Sequence, residues 1–272
     1  MKSFTIALAT AKEAIRQPAF FVLAAMAGFW LVASVFVAYF TFGEDIKMYK
    51  DTGLTTISFV CLILALLTAS STVAEEIDGK TAITLLSKPI NRRQFILGKF
   101  LGIELGVLAM FVLLGTVFAL GVAYKFTYDL REAASTDTGG RQWAQVAQVM
   151  PGLALGFFEV TTLTAISVAI STRVPMLVNL VVCISIFFLG HLAPVLVQMT
   201  EGNRTNELVG FMAQLFGFLL PSLEYYNAGP SISTGTVIPW AGYVLPAFGY
   251  CVLYSGAAIL FAFLLFEDRD LA

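Results

Sequence analysis

The sequence predicts an all-α integral membrane protein: six transmembrane helices, preceded by an N-terminal amphipathic helix. Composition is the first reason. With 58% hydrophobic and only 12% charged residues among 272, and a mean hydropathy of +0.84, the chain has more apolar surface than one soluble core could hide. Spacing is the second, because the apolar residues gather into runs of about twenty, the length that crosses a bilayer as a helix. The third is a charged insert, Glu75 to Lys99, set between two such runs.

In chain order, Phe4, Leu8, Ala11 and Ile15 share one helical face while Lys12, Glu13 and Arg16 point elsewhere, so Ser3 to Gln17 reads as an interfacial amphipathic helix ended by Pro18. The spans follow at Ala19 to Thr41, Leu54 to Ala74, Phe100 to Tyr124, Pro151 to Ser171, Met176 to Val197 and Val244 to Phe266. The first has no cleavage site after a short apolar core and is expected to act as its own uncleaved anchor. Leu208 to Leu220 is too short to cross before Pro221 and Glu224, so it is expected to enter without crossing, as a re-entrant or interfacial outer helix. A crossing there would leave the following loop inside with no Lys or Arg between Arg204 and Arg269 to hold it.

An even number of spans puts both termini on one side. Segments 1–18, 75–99, 172–175 and 267–272 carry 10 of the 16 Lys and Arg, so the positive-inside rule makes that side, and both termini, cytoplasmic. Tyr39, Tyr49, Tyr124, Tyr128, Tyr225, Tyr226 and Tyr243, with Trp143 and Trp240, fall at or beyond the opposite boundary. The formal charge of -2 offers nothing to nucleic acid. Cys61, Cys183 and Cys251 lie inside apolar runs at none of the short spacings of metal or redox pairs, and read as packing residues.

Ala74 to Thr81, AEEIDGKT, formally satisfies a loose phosphate-loop pattern. It follows a membrane helix rather than a strand and puts Glu75, Glu76 and Asp78 where the anion would sit, so nucleotide binding by this chain is rejected. Structurally, Asp78 can cap a short helix presenting Ile83, Leu85 and Leu86, which Pro89 breaks before Arg92 and Arg93. Leucines on such a helix suit a partner's groove; a solvated loop with its arginines on lipid phosphates is the other reading.

The run Glu76, Gly79, Lys80, Thr81, Leu85, Leu86, Pro89, Ile90, Arg92, Arg93, Gly98 and Lys99 resembles the signature after the second span of ABC-2 type ABC transporter permeases, except that Lys80 stands between Gly79 and Thr81 where the family has Gly-Thr. Lys12, Glu13 and Arg16, and Leu220-Pro-Ser-Leu-Glu224 before the last span, extend the likeness, and the ending Phe266 to Asp270 resembles the multicopper-enzyme-maturation permease subgroup. The resemblance implies a permease subunit of an ATP-driven transporter, in a cell (inner) membrane. Its first cytoplasmic loop would couple, through Glu76, Gly79, Thr81, Leu85, Leu86, Pro89, Arg92 and Arg93, to a separate ABC ATPase that holds ATP and Mg. A second permease subunit, identical or not, completes the membrane part, and this chain carries no cofactor of its own. One domain, 1–272, then contains an interfacial helix (1–18), a coupling loop (75–99) and an outer loop with the re-entrant segment (199–243).

Within the spans, Gly98, Gly102 and Gly106 form a ridge of small residues four apart, and Gly152 and Gly156 repeat the spacing, which lets helices approach closely. Two carboxylates lie at positions where an unpaired charge costs about 2.5 to 3.5 kcal/mol. Glu104 is near enough to Lys99 to snorkel or pair. Glu159 is deeper, about 12 Å from Pro151 and about 18 Å from Ser171 along a helix, and shares a face with Gly152 and Gly156. It is expected at a helix interface or a wet cavity, as a pathway or gating contact or as a hydrogen-bonded structural carboxyl. His191, the single histidine, reads as a packed, hydrogen-bonded imidazole, and Asn203-Arg204-Thr205 is a sequon on an outer loop. Two other functional classes stay open: a stand-alone secondary transporter using Glu159, and an intramembrane enzyme, which lacks an H-E-x-x-H motif, a ligand cluster or an in-span His beside Ser or Cys.

Overall fold

The computed structural model describes residues 2–37, 45–74, 91–132, 140–202, 211, 214–217 and 220–267, and these contain helices, turns and connections but no strand. Gln17 precedes a proline and takes extended angles (φ −62°, ψ 137°), which ends α1 (Lys2–Arg16) and lets Pro18 open α2 (Pro18–Phe36) at the one position where its missing N–H costs nothing. Next come α3 (Asp45–Ala69), continued by a π turn (Ser70–Ala74), then α4 (Arg92–Glu132), α5 (Arg141–Ser171) and α6 (Met176–Gly202). A 3₁₀ turn (Leu223–Tyr226), α7 (Gly229–Ser233), a π turn (Trp240–Val244) and α8 (Leu245–Glu267) complete the described chain.

Among the described residues, five helices are long and apolar enough to cross a membrane: Pro18–Phe36, Asp45–Thr72, Arg92–Arg131, Arg141–Ser171 and Trp240–Phe266. In α6 the apolar part is Met176–Leu192, and the helix continues through Pro194 to Gly202. Several helices outrun their apolar runs. α3 starts at Asp45 rather than Leu54, α4 extends past Tyr124 to Glu132, and α5 starts at Arg141, ahead of Pro151. Polar residues do not stop these helices because they find partners: Lys125 pairs with Asp45 (3.5 Å) and Asp129 (3.6 Å), and Lys50 donates to Gln145 and Gln148.

The opposite end is tied by a different set. Gln17 donates to Ser71, Arg92 to the Phe266 carbonyl, Arg173 to the Leu265 carbonyl and Asn179 to Ser70. The described parts of the segments expected on one side of the membrane therefore meet at one end of the bundle, and those expected on the other side meet at the other.

At the centre is α4, touched by α1, α2, α3, α5 and α8. Its contact with α1 decides which face of the N-terminal helix the bundle covers. A β-carbon on Gly98 would stand 2.8 Å from Ile6 Cβ, one on Gly102 2.6 Å from the Ala7 carbonyl oxygen, and one on Gly106 3.0 Å from Ala14 Cβ. The contacts advance in the same direction along both helices, so α1 runs parallel to the start of α4, with its small face, Ala7, Thr10, Ala11 and Ala14, buried on the glycine ridge. Phe4 and Leu8, expected to share a face with Ala11, are exposed on the other side. On the far half, Phe118 packs on Gly53 and Tyr49 on Gly121, with the two rings 5.5 Å apart, locking α3 to α4.

Most of Leu208 to Leu220, expected as a re-entrant or interfacial helix, lies outside the described residues, and Phe211 and 214–217 are exposed. Just after it, Leu223, Tyr226, Ala228 and Ile232 enter the bundle, all buried. Leu223 packs on Gly190 and Ile232 on Gly152. Tyr226 Oη bonds Thr162 at 3.1 Å, a point about 15 Å further along α5 than Gly152 at 1.5 Å per residue.

Candidate functional site

The sequence singled out two regions, the charged insert and the deep carboxylates. Of the insert, Glu76, Gly79, Thr81, Leu85, Leu86 and Pro89 lie outside the described residues, together with the short helix expected after Asp78. Arg92 and Arg93 are described. Arg92 is half-buried: its Nη1 donates to the Phe266 carbonyl at 3.0 Å and its guanidinium lies 5.6 Å from the Phe266 ring centre. Phe266 also stacks on Phe95 at 6.0 Å. Arg173, in the turn between α5 and α6, donates to Leu265 at 2.8 Å. Carbonyls in the last turn of a helix lack intrahelical donors, and cations favour that end of the dipole. Two connections of the chain thus clamp the end of α8, and Arg93 borders a cavity of about 320 Å³ beside it with Asn91, Phe263 and Phe266.

Deeper in the bundle, Gly152 and Gly156 do what small residues at that spacing allow: Leu54 and Ile232 fill the space over the first, and Ser58 and Phe111 the space over the second. One turn on, Glu159 is 6% exposed and borders a cavity of about 380 Å³. α3 supplies Leu54, Thr55, Ser58 and Phe59 to its wall, α6 supplies Phe187, Phe188 and His191, and the inserted segment supplies Tyr226 to Gly229. His191 is more than a packed imidazole. Its Nδ1 lies 3.1 Å from the Phe187 carbonyl, where it donates, and its Nε2 faces Glu159 Oε1 at 3.4 Å. That oxygen accepts no hydrogen bond.

Glu104 departs from snorkelling, one of the two arrangements expected for it: it is 9% exposed, and its Oε2 accepts a 2.9 Å hydrogen bond from Thr161 on α5. Thr161 is two residues past Glu159, about half a turn round α5, so the two carboxylates serve different interfaces.

The sequence reading missed Asn179. Fully buried at the start of α6, it donates to Ser70 (2.7 Å) and Ser167 (2.9 Å) and accepts from Cys183 (3.3 Å), tying α3, α5 and α6. An Asn inside an apolar run is the signal that could have found it, since a buried amide needs such partners. The three cysteines are free and buried, and the described residues contain no group of His, Cys, Asp and Glu that could hold a metal.

Five membrane-length helices among the described residues, packed around a buried carboxylate beside a cavity, make this a multi-pass membrane protein. The chain belongs to the ABC-2 family of transporter proteins, which it matches over residues 9–271. It is thus a membrane permease subunit of an ABC transporter rather than an enzyme, and membership implies partnership with an ABC ATPase subunit. The match reaches the permease family and stops short of the multicopper-enzyme-maturation subgroup. Among curated proteins no sequence matches the chain.

Proposed function

We propose that the chain is the membrane half of an ATP-driven exporter in a cell (inner) membrane, with both termini cytoplasmic. Two permease subunits would work with a separate ATPase that holds ATP and Mg, and the insert from Glu75 to Arg93 would be the coupling element. The family match over residues 9–271 carries the reading. The geometry of the arginine-clamped end supports it: the insert's two flanks, the π turn at Ser70–Ala74 and Asn91–Arg92, leave at the end where Arg92 and Arg173 hold α8. A push on the insert would reach α4 and α8 together, because Arg92 is both the first residue of α4 and a donor to Phe266. α8 then meets α5 through Phe248 and Phe158, 5.4 Å apart, beside Glu159. Closure of an ATPase dimer can in this way bias two arrangements of the bundle by differential contact energy.

The chain purified alone is expected neither to bind nor to hydrolyse ATP, and Lys80→Ala to leave this unchanged, whereas the chain taken from its native membrane should bring an ATP-hydrolysing partner with it. Specific nucleotide binding by the chain alone, lost in Lys80→Ala, would overturn the assignment. For the orientation, an impermeant thiol reagent applied outside should modify a cysteine placed at Asp137 and spare one at Ser87. The reverse labelling would invert the topology.

A further inference from the structure

We infer that the cavity around Glu159 is a binding site for an ammonium-bearing amphiphile, reached sideways from the membrane between α3 and α6. As the substrate side of the transporter the site rests on the function proposed above; as a binding site it stands on its own geometry. Glu159 is buried and borders the cavity, and its Oε1, itself shielded beside His191, accepts no hydrogen bond. A buried carboxylate oxygen left in that state costs free energy that a cationic donor would recover. His191 cannot fully satisfy it, since Nδ1 is committed to the Phe187 carbonyl and Nε2 stops at 3.4 Å.

Four aromatic residues, Phe59, Phe187, Phe188 and Tyr226, share the wall with Leu54, Thr55, Ser58 and Asn227, and aromatic ring faces attract a desolvated cation. No Lys or Arg is among the described lining residues, and Glu224 adds a further negative group near Glu159, so an anionic ligand has no partner here. The volume of about 380 Å³ lies within the roughly 300 to 1,000 Å³ usual for small-molecule sites. Two of its lining residues stand partly outside the bundle, Phe59 41% and Phe188 54% exposed, and the Phe59 and Phe187 rings, 6.2 Å apart, bridge α3 and α6 beside it.

The test uses the isolated full chain in a neutral detergent, without an ATPase, so a failure of binding and a failure of coupling are read separately. Radiolabelled decyltrimethylammonium is expected to bind saturably, with decyl sulfate and decyl maltoside failing to displace it. Glu159→Gln, isosteric but uncharged, should weaken binding by about tenfold or more while leaving gel-filtration behaviour and thermal midpoint unchanged. His191→Asn should retain binding, because the imidazole is the internal partner that the cation replaces. If Glu159→Gln does not fold, Phe59→Leu at its partly exposed position reads the same cavity, with an expected loss of about threefold or more. Displacement by lipid nanodiscs rich in phosphatidylethanolamine, but not by phosphatidylglycerol, would identify the amphiphile as a lipid headgroup. Displacement by neither would identify it as a free organic cation. Absence of saturable binding, wild-type affinity in folded Glu159→Gln, or equal competition by decyl sulfate overturns the inference.

Discussion

Leu85→Asp and Leu86→Asp are each expected to release the ATPase or to uncouple its hydrolysis from transport, with little effect on the level of the chain in the membrane. A leucine fully withdrawn from water contributes about 1.5 to 3 kcal/mol, so losing one contact and burying a carboxylate in its place should lower affinity by about tenfold to several hundredfold. Arg93→Ala should act more mildly, as expected of a charge at an exposed rim. Arg92→Ala should differ from it, because Arg92 also caps α8 through Phe266. It should cost stability, of about 1 to 3 kcal/mol for a charge-assisted hydrogen bond, as well as coupling. The measurement is ATPase retention on the affinity-captured chain, beside a thermal midpoint for each variant.

Gly102→Val is expected to displace α1 from α4. Even the first added carbon would stand 2.6 Å from both the Ala7 carbonyl oxygen and Thr10 Cβ. Backbone cannot give way as the tip of a flexible side chain can, so overpacking should cost about 1 to 3 kcal/mol or more. Gly102→Ala should do less harm in the same direction. Gly249→Ala and Gly256→Ala, where an added β-carbon meets nothing within 4 Å, should be neutral or slightly stabilising through helix propensity. Thermal unfolding of the four variants in one detergent reads the difference. A Gly102→Val protein as stable as Gly249→Ala would remove the α1–α4 contact from the account.

Where local sequence determines the outcome, the fold was legible. Apolar runs located the membrane helices because twenty apolar residues have few other options, and Pro18 marked the break before the first because a proline constrains its predecessor. The glycine spacing announced close packing on α4, yet it could not name α1 as the partner, since small residues four apart declare an approach and not what approaches. Helix ends were misplaced wherever a polar stretch continued the helix with a distant partner: Asp45 needs Lys125, and Lys50 needs Gln145 and Gln148.

Legibility was similarly divided at the site. Glu159 sharing a face with Gly152 and Gly156 predicted a helix interface or cavity, and the structure places all three on one cavity wall. That His191 would face Glu159 depends on how α6 turns back after Arg173, which no local pattern encodes. Glu104 was judged by its distance from the interface, while Thr161, the residue that holds it, lies on another helix. Leu208 to Leu220, expected as a re-entrant or interfacial helix, lies largely outside the described residues. The dip that follows it was not legible, because Leu223 and Ile232 find their places only against Gly190 and Gly152 on other helices.

Everything proposed about ATP rests on one contact, that of the insert with a separate ATPase, and a crosslink tests it most directly. With a cysteine placed at Thr84, beside the two leucines, and single cysteines scanned along the groove face of the co-purifying ATPase, a short bifunctional thiol reagent should join the two proteins. The yield should change when ATP is added with Mg. Absence of a crosslink at every scanned position, in a complex that still transports, would contradict the account and leave an ATP-independent membrane protein as the better reading.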